Sequence, residues 1–146
     1  MDFAVKGFAI VGGVIALWTF WRTAKTRRAE WLSNLHAKFF EAASYKRIRR
    51  VLDSDDTDPE FSKLRDEVIA DRSSEVVEEF VDFLNFFEFV ASLRELGQIR
   101  EREITMLFDY YLRLLCKHDF VRTYIQKNGF EQLDQFLGSY EERGPK

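Results

Sequence analysis

Between Phe3 and Trp21 the chain reads FAVKGFAIVGGVIALWTFW, and from Gly7 to Trp21 it carries no charge. Wound as a helix, this stretch is about 28 Å long, close to the hydrocarbon thickness of a bilayer. Lys6 then has to snorkel to the nearer interface. A surface helix of a water-soluble fold keeps a polar face, which this stretch lacks for four turns. A cleaved signal peptide places positive charge before its apolar run and small residues at its end. Here the run closes on Trp18, Phe20 and Trp21 with the charge behind it, as Arg22, Lys25, Arg27 and Arg28. The pattern predicts a transmembrane helix that is not removed, with tryptophans at the interfacial belt. It makes the remainder a domain held at a membrane surface.

Four cations on the C-terminal side outweigh Lys6 and the amino group on the other, so the positive-inside rule puts the N-terminus outside and the rest in the cytoplasm. Arg22, Lys25, Arg27 and Arg28 are assigned to anionic lipid head groups. A single cysteine, Cys116, allows no internal disulfide and agrees with a reducing compartment. Within the span, Ala9 with Gly13 and Gly12 with Ala16 have the i, i+4 spacing of small residues that lets helix backbones approach closely. These four positions are the candidate oligomerisation surface, and a homo-oligomer is expected; the competing explanation is that Gly and Ala are simply common in membrane helices.

Setting residues 1–28 aside as anchor and basic flank leaves one domain's worth of chain, 29–140, with a short tail at 141–146 expected to fray. Of 22 basic and 25 acidic residues in the whole chain, 17 and 24 lie beyond residue 28, a balance near −7. That disfavours broad nucleic-acid binding, which draws on dense Lys/Arg contacts to phosphate.

Helical periodicity runs through the domain without strand-like alternation, so the fold class is all-α, a transmembrane helix continuing into a helical bundle. Trp31, Leu35, Phe39, Ala42, Tyr45, Ile48 and Leu52, three and four residues apart, predict one helix through Leu52. Asp58 and Pro59 then read as the cap and first turn of a short helix to about Ala70. Ser74 caps the most apolar segment, EVVEEFVDFLNFFEFVASLREL, whose five phenylalanines (80, 83, 86, 87, 89) predict a central helix. Asn85 and Glu88 interrupt it, either as buried groups with partners or as part of a polar strip with Glu78, Asp82, Ser92 and Glu95. Gly97 ends that helix. The next, from Glu101 to about Lys117, buries Ile104, Leu107, Phe108, Tyr111, Leu114 and Leu115 and keeps Met106, Tyr110, Arg113 and Lys117 on another face. Asp119 is read as the cap of a helix through Lys127. Asn128-Gly129 stops it, and a last helix docks through Phe130, Leu133, Phe136, Leu137 and Tyr140.

No phosphate-binding glycine pattern, HExxH, GxSxG or metal-ligand spacing occurs, so neither metal nor cofactor is expected. The acidic loop DSDDTDPE fails as a calcium loop, since the required Gly falls on Asp58 and the terminal Glu on Leu64. His36 reads as a structural or surface residue. His118 follows Arg113 in an Arg-x4-His element, which resembles the mark of the HEPN superfamily, helical bundles many of whose members are ribonucleases. That resemblance implies an Arg and a His acting together on a scissile phosphate, with a second copy across a dimer. A guanidinium is suited to phosphorane-like charge and an imidazole to moving the 2′-hydroxyl proton. Five steps along a helix separate the two by about 140°, so convergence needs a break between them or a second subunit. Leu114 also departs from the polar residue that active members commonly place after the Arg.

With its anchor, Phe-rich α-only domain, Arg113 and His118, the layout resembles bacterial single-span membrane proteins with a HEPN-like cytoplasmic domain. It is similar in particular to the accessory membrane proteins of type VI-B CRISPR systems. The resemblance implies a membrane ring or pore acting in antiphage defence. Three functions are expected in turn: a self-assembling membrane effector or accessory protein in which Arg113 and His118 are structural or ligand-sensing; a single-span scaffold recruiting a protein partner; and an RNase using Arg113 and His118. The first makes the protein a non-enzyme; only the third makes RNA a partner.

Overall fold

The computed structural model describes the backbone of residues 2–144 and the side chains of 18, 19, 21–23 and 25–144. Among the described residues all regular structure is helical: α1 (Asp2–Glu41), α2 (Ala43–Asp53), α3 (Pro59–Ile69), α4 (Glu75–Glu95), α5 (Glu101–Lys117), α6 (Asp119–Lys127) and α7 (Glu131–Arg143). The chain divides into two compact units, residues 1–38 and 39–146, ten residues later than the flank at residue 28 suggested.

The first unit is a single helix. Among the described residues no helix is long and apolar enough to cross a membrane. The side chains from Phe3 to Leu17, which carry most of the expected span, and with them Ala9, Gly12, Gly13 and Ala16, lie outside the described residues.

In the second unit the expected continuous helix through Leu52 is broken at Ala42, whose ψ of 120° is extended. Phe39, Ala42, Tyr45 and Ile48 follow one another at steps of three, and each such step turns back by about 60° on a 3.6-residue helix. A straight helix would set Phe39 opposite Ile48, yet both are fully buried. One extended residue lets both enter the core. The carbonyls left open at the end of α1 are taken up by Arg49, whose Nη1 donates to Phe39 O at 2.5 Å and Nη2 to Phe40 O at 3.3 Å. The same guanidinium stacks on the rings of Phe39, Phe40 and Tyr111.

Phe39 is the hub of the core, its ring centroid 4.9 Å from Phe86, 5.0 Å from Tyr111 and 5.2 Å from Phe108. α4 is central, packing on α2, α3 and α7. Four of its five phenylalanines are buried, but Phe89 is 54% exposed, because it falls on the side of α4 that also carries Asp82, Asn85 and Ser92. In α5 the fully buried Leu112 joins the core, while Leu107 is only half-buried.

Local signals set several helix ends. Asp58 accepts from Glu60 N and Phe61 N, with Pro59 opening α3. Ser74 accepts from Val77 N. After α4, Gly97 at φ +68° closes a Schellman turn, with Gln98 N donating to Leu93 O and Gly97 N to Arg94 O. Asp119 does not cap α6; it occupies the first turn, and His118 is the cap residue. α7 continues to Arg143, past the expected end at Tyr140, where Arg143 pairs with Glu101 of α5.

Candidate functional site

Arg113 and His118 lie at the end of α5, and the helix break falls at His118 rather than between them. Arg113 therefore keeps its helical phase and its place on the outer face, 53% exposed, with Nη2 2.7 Å from Asp109 Oδ2 one turn earlier. His118 turns inward and is 7% exposed. Its Nε2 is 3.0 Å from Leu52 O at the end of α2. A carbonyl only accepts, so that nitrogen carries the proton. The ring lies against Phe61 at 4.9 Å and Phe120 at 6.0 Å. Each member of the pair is thus committed to its own partner, and within one chain they are not brought together.

Asp109 has a second partner that the sequence did not single out. Tyr140 of α7 donates its hydroxyl to Asp109 Oδ1 at 2.6 Å. Burial, that hydrogen bond and the neighbouring carboxylate all push the phenol well above its ordinary range. Beside it, Cys116 is half-buried; burial first, then the charge of Glu141 and a hydrogen bond to it, push the thiol up to about 12, against a smaller opposing pull from Arg122. At neutral pH it is a protonated thiol and a poor nucleophile. Arg122 of α6, largely enclosed, lies 3.2 Å from Asp134 and 3.6 Å from Glu141 of α7. A polar seam therefore joins α5, α6 and α7. Along it α5 and α7 border an open groove of about 670 Å³, walled by Glu101, Arg102, Thr105, Met106, Asp109 and Tyr140. Among the described residues no group of His, Cys, Asp or Glu is placed to hold a metal ion.

The second candidate surface is on α1. Trp18 and Trp21 are 63% and 62% exposed. Arg22, Lys25 and Arg27 are exposed as well, whereas Arg28 is half-buried. The Arg22 guanidinium lies 5.5 Å from the Trp18 ring, and Thr23 and Thr26 return their hydroxyls to carbonyls one turn back. The helix thus leaves two indoles and three cations uncovered by protein, an arrangement with little purpose for folding.

Sequence spacing exposes the Asp109–Arg113 pair but not its links to Tyr140, or those of Arg122 to α7, which join residues distant in the chain. No curated protein and no solved structure matches the chain. The model of one family, described as a domain of unknown function (DUF4760), matches residues 7–128, from within the apolar stretch to the end of α6, and the chain belongs to that family.

Proposed function

We propose that the protein is a single-span, self-assembling membrane protein, its N-terminus outside and its helical domain in the cytoplasm, acting as an effector or accessory factor rather than as an enzyme. The observation that carries this reading is the exposure of Trp18 and Trp21 beside exposed Arg22, Lys25 and Arg27, at the C-terminal end of a run without charge. Indoles and cations in that order match the belt and flank of a membrane helix. Antiphage defence is the setting implied by the resemblance to the accessory proteins of type VI-B CRISPR systems, and assembly would run through Ala9, Gly12, Gly13 and Ala16.

The test is fractionation of cells expressing the full chain with a C-terminal tag. The chain is expected in the membrane pellet after alkaline carbonate, with the tag protected from protease in spheroplasts and digested once they are lysed. Recovery in the soluble fraction overturns the reading. In detergent the wild type is expected as an oligomer that Gly13→Leu disperses; a monomeric wild type removes the self-assembly part. RNA cleavage that disappears in Arg113→Ala, a substitution at an exposed position that leaves the core intact, would replace the proposal by the nuclease reading.

A further inference from the structure

We infer that the outer stripe of α5 is a second contact with anionic lipid, laying the domain against the bilayer to which the proposed anchor tethers it; this rests on the anchor reading. Taken at 100° per residue, Arg102, Arg113, Met106, Lys117 and Tyr110 fall within a sector of about 80°, and the stripe runs about 22 Å along the helix. Met106 is 75% exposed and Tyr110 45%. Arg102 and Lys117 are exposed and carry no ion pair among the described residues. No acidic residue of α5 lies inside the sector, and the Asp53 carboxylate of α2 meets its edge, where it accepts from the Tyr110 hydroxyl. Asp109 borders it on one side and is engaged by Arg113 and Tyr140. Glu103 borders it on the other and accepts from the Arg100 amide at the start of the helix.

Such a stripe is unexpected on a domain with a balance near −7, where an unselected face would carry acid. Three cations, one of them shared with Asp109, alternate with a long thioether and a phenol along the outer face and the groove edge of α5, the composition of a helix lying in a membrane interface. Each cation near an anionic leaflet adds a small attraction, weak for a free protein and sufficient for a domain already tethered.

The experiment uses the full chain reconstituted into vesicles, with Cys116→Ser and Met106→Cys carrying a polarity-sensitive dye. One set of vesicles is pure phosphatidylcholine and the other includes phosphatidylglycerol. Blue-shifted dye emission is expected only on the anionic vesicles, reversed by high salt and lost when Arg102, Arg113 and Lys117 are all changed to Gln. Equal emission on both vesicle types overturns the inference. So does a shift that follows protein density rather than lipid charge, which would assign the stripe to a second copy of the chain. Failure of the chain to float with neutral vesicles would instead strike the anchor reading, so the two failures are distinguishable.

Discussion

Asp71 and Gly97 occupy the same position in two equivalent turns. Both follow the C-cap of a helix at positive φ, 52° for Asp71 and 68° for Gly97. In both, the next amide reaches back to the carbonyl that closes a Schellman turn, Arg72 N to Glu67 O in the first. An L residue in this region costs about 1–2 kcal/mol, less for Asp, and glycine gives back part of that in chain entropy. Asp71→Gly is therefore expected to raise stability by up to about 1 kcal/mol. A Cβ at Gly97 would meet nothing within 4 Å, so Gly97→Ala is expected to lower stability by about 1 kcal/mol through the backbone alone. Thermal unfolding of both variants in detergent checks the opposite signs. The turn at Gly97 is readable in sequence because glycine announces it. The turn at Asp71 is not, because aspartate is as frequent in ordinary loops.

Helix ends divide in the same way. Those closed by a neighbour in sequence, at Asp58, Ser74 and Gly97, are legible because the capping group lies within three residues of the amide or carbonyl it serves. Others are closed from a distance. Phe130 supplies no side-chain cap to α7; instead Glu88 of α4 accepts from Gln132 N at 3.2 Å and Leu133 N at 2.7 Å. Glu88 is thus a shielded, partnered carboxylate at a helix contact, while Asn85 beside it is exposed. His118 closes α2 by its bond to Leu52 O, and Arg49 closes α1. No local rule reaches across such separations, which is why the break at Ala42 and the role of Glu88 were hidden although the helices themselves were plain. Glu88→Ala leaves two amides of α7 unpaired and removes a charge from its positive end, an expected loss of about 1–3 kcal/mol. Glu88→Gln keeps one acceptor and should lose less. Hydrogen exchange at Gln132 and Leu133 should quicken in both variants, more in the alanine.

For the molecule as a whole, the all-α class follows from periodicity alone, and the core of the second unit from its phenylalanines. Its part-buried thiol and phenols add a pH dependence. Cys116, with an ordinary value of 9.0, is held up to about 12, and Tyr140, Tyr45 and Tyr124 are all raised above 10.0, each chiefly by burial. Well below pH 9 these groups are protonated in both states and contribute no difference. As pH approaches and passes 9 the unfolded chain releases protons that the folded chain retains, so stability falls with rising pH. Urea midpoints measured from pH 8 to 11 are expected to decline, and Cys116→Ser should flatten the early part of that decline. A midpoint independent of pH across this interval would contradict the burial of these four groups.

Phe39 stands where α1 ends and the second unit begins, and its truncation to Ala should cost about 3–5 kcal/mol. The Arg49 guanidinium holds the carbonyls of Phe39 and Phe40 and lies on both rings, so removing that one side chain would slacken a stretch of backbone and an aromatic cluster together.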